Sequence, residues 1–137
     1  VQFFDVGQAN RVGRYPIQFH RIGTVAKSYV VGNSIWLSYN RAITVNDVEE
    51  LIVADNVVYD VRGHAIFIED GREQNNVIEN NLVMKVLKTW ALLNTDLTPA
   101  AFWITNPNNI FRNNRAAGSE SFGFWFYLIS HSTGSSY

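Results

Sequence analysis

A short apolar run, followed about a dozen residues later by a Val/Ile-rich run closing on Asn, recurs along this chain and constrains its fold more tightly than any other feature. PIQFH (16–20) is answered by YVVGNSI (29–35), AITV (42–45) by LIVADNVV (51–58) and AIFIED (65–70) by VIENNLV (77–83). FWIT (102–105) is answered by IFRNNRAA (110–117), and GFWFYL (123–128) opens a further unit. The closing residues Asn33, Asn56, Asn81 and Asn114 stand 23, 25 and 33 positions apart. Self-similarity at this period marks stacked structural repeats.

The runs are short, rich in Val, Ile, Phe and Trp, and bounded by Gly, Asn and Asp, which is strand chemistry. Each unit is shorter than the roughly 30 residues of a strand–helix–strand crossover, yet long enough for two or three short strands with tight corners. The fold class that follows is all-β: a right-handed parallel β-helix of about five rungs. Aligning the first strands gives two inward columns, Ile17, Ile43, Ile66, Phe102, Phe124 and Phe19, Val45, Ile68, Ile104, Phe126, because residues two apart share a face. Val30, Ile52, Val77 and Ile110 are the inward candidates of the second strands. One helical pattern interrupts the series at Met84 to Leu93 (MKVLKTWALL), and the spacing stretches there, so an insertion is expected near 84–99. Residues 1–137 read as a single β-helix segment, and because neither VQFFDV nor SHSTGSSY reads as a cap for the core and open strand edges a solenoid must hide, the isolated residues are expected to aggregate or stay poorly folded.

Composition narrows the function classes. With 47% hydrophobic residues the chain has material for a core, and a formal charge of -1 supplies no attraction to nucleic acid or anionic membrane. There is no apolar run long enough to span a bilayer. The absence of cysteine removes disulfides and thiolate metal sites. Phosphate-binding, nucleophile-elbow and zinc-protease motifs are absent.

The 15 asparagines need a structural reason. Asn tolerates a left-handed backbone and bonds neighbouring peptide groups, so Asn33, Asn56, Asn81 and Asn114 are expected at corners, forming a structural ladder from rung to rung. Between the inward columns run Gln18, Thr44, Phe67, Trp103 and Trp125, and two residues further on His20, Asn46, Glu69, Thr105 and Tyr127. Large rings beside polar groups on a flat sheet suit a sugar chain, so Phe67, Trp103 and Trp125 are the candidate ligand-binding residues. The same stripe equally suits packing under a loop or another domain, with the insertion as its cover. The titratable candidates are His20, His64, Glu69, Asp70, Glu73 and Asp96. Glycoside hydrolysis uses two carboxyls. Glu69 and Asp70 would face opposite ways if both lay in a strand, whereas Glu69 and His20 share a column two rungs apart, at about 10 Å. If the chain is an enzyme, the catalytic candidates are His20, Glu69 and Asp70. No calcium-loop spacing is present.

At GRYPIQFHRIG (13–23), GHAIFIEDG (63–71), LLNTD (92–96) and FWITNPNNIFRNNRAAGSESFGFWF (102–126) the chain resembles the parallel β-helix region of the fibrocystin-L family, a group that includes the cell-migration-inducing and transmembrane hyaluronidases. The resemblance implies a segment of a large extracellular glycoprotein at the cell, ciliary or flagellar surface, with a structural or adhesive role. Its implied partners are neighbouring rungs and domains, glycans or other surface proteins. The hyaluronidase branch implies the alternative, calcium-assisted cleavage of hyaluronan. Against the family pattern, Gln18-Phe19-His20 stands where His-Phe-His is usual, and Ser34-Ile35-Trp36-Leu37 lacks another histidine. MKVLKTW replaces a Thr-Lys-Pro loop. These losses favour scaffold over catalysis.

Overall fold

The computed structural model describes residues 1–90 and 93–128, and these form a parallel β-helix. After β1 (Gln2–Val6), successive rungs are β2 (Ile17–Thr24), β3 (Tyr29–Val31) and β4 (Ser34–Ser38), then β5 (Ile43–Glu49), β6 (Ile52–Ala54) and β7 (Val57–Arg62). Next come β8 (Ile66–Ile68), β9 (Val77–Glu79) and β10 (Leu82–Leu87), then β11 (Ala100–Ile104), β12 (Ile110–Arg112) and β13 (Arg115–Ser119), and finally β14 (Phe122–Phe126). Equivalent strands stack in three sheets, which we call sheet I (β2, β5, β8, β11, β14), sheet II (β3, β6, β9, β12) and sheet III (β1, β4, β7, β10, β13). Every pairing is parallel.

Sheet I has the register read from the sequence: Ile17 pairs with Ile43, Ile43 with Ile66, Ile66 with Phe102, and Phe102 with Phe124. Ile43, Ile66 and Phe102 are fully buried, and the Phe102 and Phe124 rings stack at 4.7 Å. Each such side chain contributes about 1.5–3 kcal/mol of burial. Phe124 and Phe126, on the last described strand, are exposed.

Two expectations need correction. In sheet II, Tyr29, Ile52, Val77 and Ile110 form one column, and it points outward. The inward column is Val30, Val53, Ile78 and Phe111, so of the four candidates only Val30 was placed on the correct side. Three-residue strands that are apolar on both faces do not reveal their own alternation, and a slip of one residue exchanges the faces. The helical reading of Met84 to Leu93 also fails, because Leu82–Leu87 is strand β10, while a 3-10 turn occupies Asn94–Leu97. The insertion therefore begins after Leu87. Leu93 stands beside that turn, and residues 91 and 92 lie outside the described set.

The corner from sheet II to sheet III is two residues long and repeats. Gly32, Asp55, Asn80 and Asn113 take positive φ of 68°, 56°, 55° and 55°, and each precedes one of the periodic asparagines. The residue types are those that tolerate a left-handed backbone. Behind them the backbone N–H and Nδ2 of Asn33 donate to Asn56 Oδ1 (3.0 and 2.9 Å), those of Asn56 to Asn81 Oδ1 (3.1 and 3.0 Å), and those of Asn81 to Asn114 Oδ1 (both 3.0 Å). Nδ2 of Asn56, Asn81 and Asn114 also donates to the carbonyls of Val30, Val53 and Ile78. Each interior amide thus satisfies several peptide groups that water cannot reach.

A second asparagine row at the corner from sheet I to sheet II escaped the sequence reading. Leu51 N–H donates to Asn76 Oδ1, and the N–H and Nδ2 of Asn76 donate to Asn109 Oδ1. The available signal was positional, since Asn76 and Asn109 each stand five residues before a ladder asparagine.

Candidate functional site

The connections from sheet III back to sheet I carry the densest polar chemistry. Arg41 lies before β5, His64 before β8 and Asp96 before β11, so three consecutive rungs deliver one charged or titratable side chain each to the same corner. All three are completely buried. Arg41 binds Asp96 through both ends of its fork, Nε to Oδ1 at 3.0 Å and Nη2 to Oδ2 at 2.6 Å. The carboxylate also accepts the N–H groups of His64 (3.2 Å) and Leu93 (3.3 Å). Gly63 lies beside this path with φ +84°, and a Cβ there would fall 2.5 Å from Asp96 Oδ1. Only glycine leaves the carboxylate room to reach across the intervening rung to Arg41.

Burial works against both charges, but the mutual hydrogen bonds and attraction prevail, holding Asp96 below the usual carboxylate range and Arg41 above its ordinary value. His64 behaves differently. Burial drives it down to about 3, with Asp96 opposing and Arg41 adding to the fall. Its Nδ1 accepts the Ala100 N–H at 3.0 Å, which assigns the proton to Nε2. Nε2 lies 3.7 Å from Asp96 Oδ1, too far for a hydrogen bond, and a neutral imidazole makes no ion pair there.

This cluster covers the aromatic column of sheet I. Phe67, Trp103 and Trp125 are in register on the outer side, as their spacing implied. The Arg41 guanidinium sits 3.9 Å above the Phe67 ring, and the His64 ring lies 5.0 Å from Phe67 and 4.5 Å from Trp103. Phe67 is 3% and Trp103 7% exposed, so neither has an open face for a sugar. Trp125 is half-buried against Phe122, with ring centroids 4.2 Å apart.

The polar column beside it is more open. His20 is exposed and pairs with Asn46, and Glu69 occupies the next rung beyond Asn46. Strand β8 ends at Ile68, so Glu69 and Asp70 both lie in the turn and the opposite-face argument does not apply to them. Asn46 Nδ2 donates to Asp70 Oδ2 at 3.2 Å. Burial raises the pKa of Glu69, with Arg41 opposing and Asp70 adding to the rise. Tyr15 rises for the same first reason, and its hydroxyl lies 3.5 Å from Arg41 Nη1. Glu73 is buried and accepts the N–H groups of Asp47 (2.8 Å), Asp70 (3.4 Å) and Gly71 (3.0 Å). Burial, then Asp70, pushes it up to about 7.

Both Glu73 oxygens are taken by peptide N–H groups, and among the described residues no three His, Cys, Asp or Glu side chains converge as metal ligands.

Comparison with known proteins decides the family. The model for the CEMIP beta-helix matches residues 1–98 and 88–137. The chain belongs to the CEMIP beta-helix family. Fibrocystin-L of Mus musculus is 50% identical over 138 residues, covering 100% of this chain but 3% of that protein. Cell surface hyaluronidase of Danio rerio is 34% identical, covering 100% of this chain and 12% of its own length. The human protein named cell migration-inducing and hyaluronan-binding protein is 33% identical over 91% of this chain and 12% of its own length. This β-helix therefore spans a small part of each relative, and among its described residues no helix is long and apolar enough to cross a membrane.

Proposed function

We propose that this β-helix is a non-catalytic segment of a large cell-surface protein, with a structural or adhesive role exercised through its outer faces against glycan or neighbouring domains. The observation that carries this reading is the mutual consumption of Arg41, His64 and Asp96. A buried two-pronged ion pair holds the insertion, and a neutral imidazole accepts a peptide N–H, so the titratable groups nearest the aromatic column are bound into the scaffold. One relative is named a cell surface hyaluronidase, which supports an extracellular location for this segment.

One observation favours the alternative, a glycan-cleaving domain of hyaluronidase type. Glu69 is half-buried with a raised pKa, the condition of a general acid, and Asp70 follows it. Incubating the intact protein with hyaluronan separates the two readings. Unshortened chains are expected. Shortening that Glu69→Gln or His20→Ala abolishes would overturn the non-catalytic reading.

A further inference from the structure

Contacts in this solenoid run between neighbouring turns, with one exception. Strand β5 pairs with β8 and β8 with β11, and the other strand pairings also join adjacent turns. Both asparagine rows pass their hydrogen bonds from one turn to the next. Arg41 and Asp96 reach further. Arg41 stands just before β5 and Asp96 before β11, so their two-pronged pair spans the whole turn that begins at β8. Among the described residues no other hydrogen bond skips a turn.

The skipped turn makes way for the pair and is tied to it. Gly63 takes φ +84°, and a Cβ there would lie 2.5 Å from Asp96 Oδ1 and 3.4 Å from Arg41 Cγ, so the glycine clears the path of both side chains. The His64 N–H donates to Asp96 Oδ1 at 3.2 Å, and His64 Nδ1 accepts the Ala100 N–H at 3.0 Å, where β11 begins. Arg41, His64 and Asp96 are all completely buried. A buried charge parted from its partner is costly, so neither end of the pair lets go alone.

In a solenoid whose turns touch only their neighbours, opening proceeds from an end one turn at a time, each turn separated at the cost of one interface. The pair removes that option for three turns. Drawing β5 away from β8 pulls Arg41 off Asp96, which in the same event frees the contacts of His64 and the entry to β11.

We propose that Arg41 and Asp96 form a strap that makes the turns entered by β5, β8 and β11 open as one unit, so that unravelling from either side stops there. The face it keeps assembled is the outer side of sheet I, whose polar column draws Asn46, Glu69 and Thr105 from those three turns. Such a strap serves a contact face and a catalytic face alike.

Hydrogen exchange of the intact protein, followed by mass spectrometry on peptides from β5, β8 and β11, tests it. The slowest amides of the three strands are expected to share one protection factor. In Arg41→Ala/Asp96→Ala, which strands no charge, the protection of β5 and β11 should come to differ by about tenfold or more. Ile66→Val removes core volume from the middle turn and keeps the pair, so it should speed exchange in all three strands together. Should the double variant fail to fold, Arg41→Lys carries the same test, because it keeps the charge and loses the fork; it should separate β5 from β11 by about threefold. Unequal protection of β5 and β11 in the unaltered protein, equal protection after the strap is cut, or a separation produced by Ile66→Val as well would overturn the proposal.

Discussion

Two aromatic columns run along this solenoid, and they have opposite fates. On sheet I, Phe67 and Trp103 are sealed beneath Arg41 and His64, which Asp96 holds in place from the insertion. On sheet III, Phe4, Trp36, Tyr59 and Met84 stack in the same parallel manner with no comparable cover among the described residues. The strands pair alike in both sheets. The difference lies in the connections, because among the described residues only the corner that feeds sheet I brings a charged cluster and an insertion over its outer face. Outward register therefore does not make an aromatic side chain a surface residue. The loop entering the strand decides whether a ring becomes core or platform.

The sharpest way to break the contrast is to remove the clamp. Asp96→Ala leaves Arg41 buried without its counter-charge and takes the acceptor from two peptide N–H groups, so a loss of about 3–5 kcal/mol in denaturant unfolding is expected. Replacing Arg41 and Asp96 together by Met and Leu should recover most of that loss, because the charge is then no longer stranded. If Asp96→Ala costs less than about 1 kcal/mol, the scale of an exposed pair, the clamp does not hold the cover. Trp103→Ala empties a filled site and should cost about 3–5 kcal/mol.

The buried corners beside sheet I add a pH signature. Glu73 goes from an ordinary 4.5 to about 7 on folding, so its proton contributes stability that is fully present below 4.5 and lost as pH rises to about 7. His64 goes from 6.5 to about 3, so its contribution is present above 6.5 and lost as pH falls toward 3. The two slopes oppose each other between pH 4.5 and 6.5. Glu73→Gln removes one of them, and unfolding free energies measured across a pH series should then fall more steeply on acidification. An unchanged profile would show that Glu73 does not titrate in this range. The smallest effect belongs to the open column, where Tyr59→Ala should change stability by no more than about 0.5 kcal/mol. A core-sized loss there would mean that sheet III is as firmly packed as sheet I.

How much of this was legible in the sequence depended on strand length and on landmarks. Sheet I could be read residue by residue because Ile-x-Phe, Ile-x-Val and Phe-x-Ile alternate cleanly, and parallel stacking keeps equivalent positions in line. Sheet II could not, since YVV, IVA and IFR offer apolar side chains to both faces. Sheet III went unread although its landmark was present: Trp36, Tyr59, Met84 and Ala117 each stand three residues after a ladder asparagine. Beyond that position the two-residue period breaks, because Asp5, Leu37, Asp60, Lys85 and Gly118 all take positive φ, and only the glycine and the two aspartates hint at it. Of the candidate site, the outward register of Phe67, Trp103 and Trp125 followed from alternation. Their cover did not, because the Arg41–Asp96 pair joins residues 55 positions apart in irregular connections.

The asparagine row has a direction. Asn33, Asn56 and Asn81 each donate to the Oδ1 of the next asparagine in the row, so a lost acceptor side chain orphans the donors of the preceding asparagine and spares those of the next. Every turn makes the same request of its successor. A whole turn can therefore be added or removed and the row closes again, whereas a partial turn that displaces the corner leaves it broken. Extra residues are tolerated where the row does not pass, as after Leu87. Length differences between related solenoids should then take two forms, complete turns and loops at that single corner.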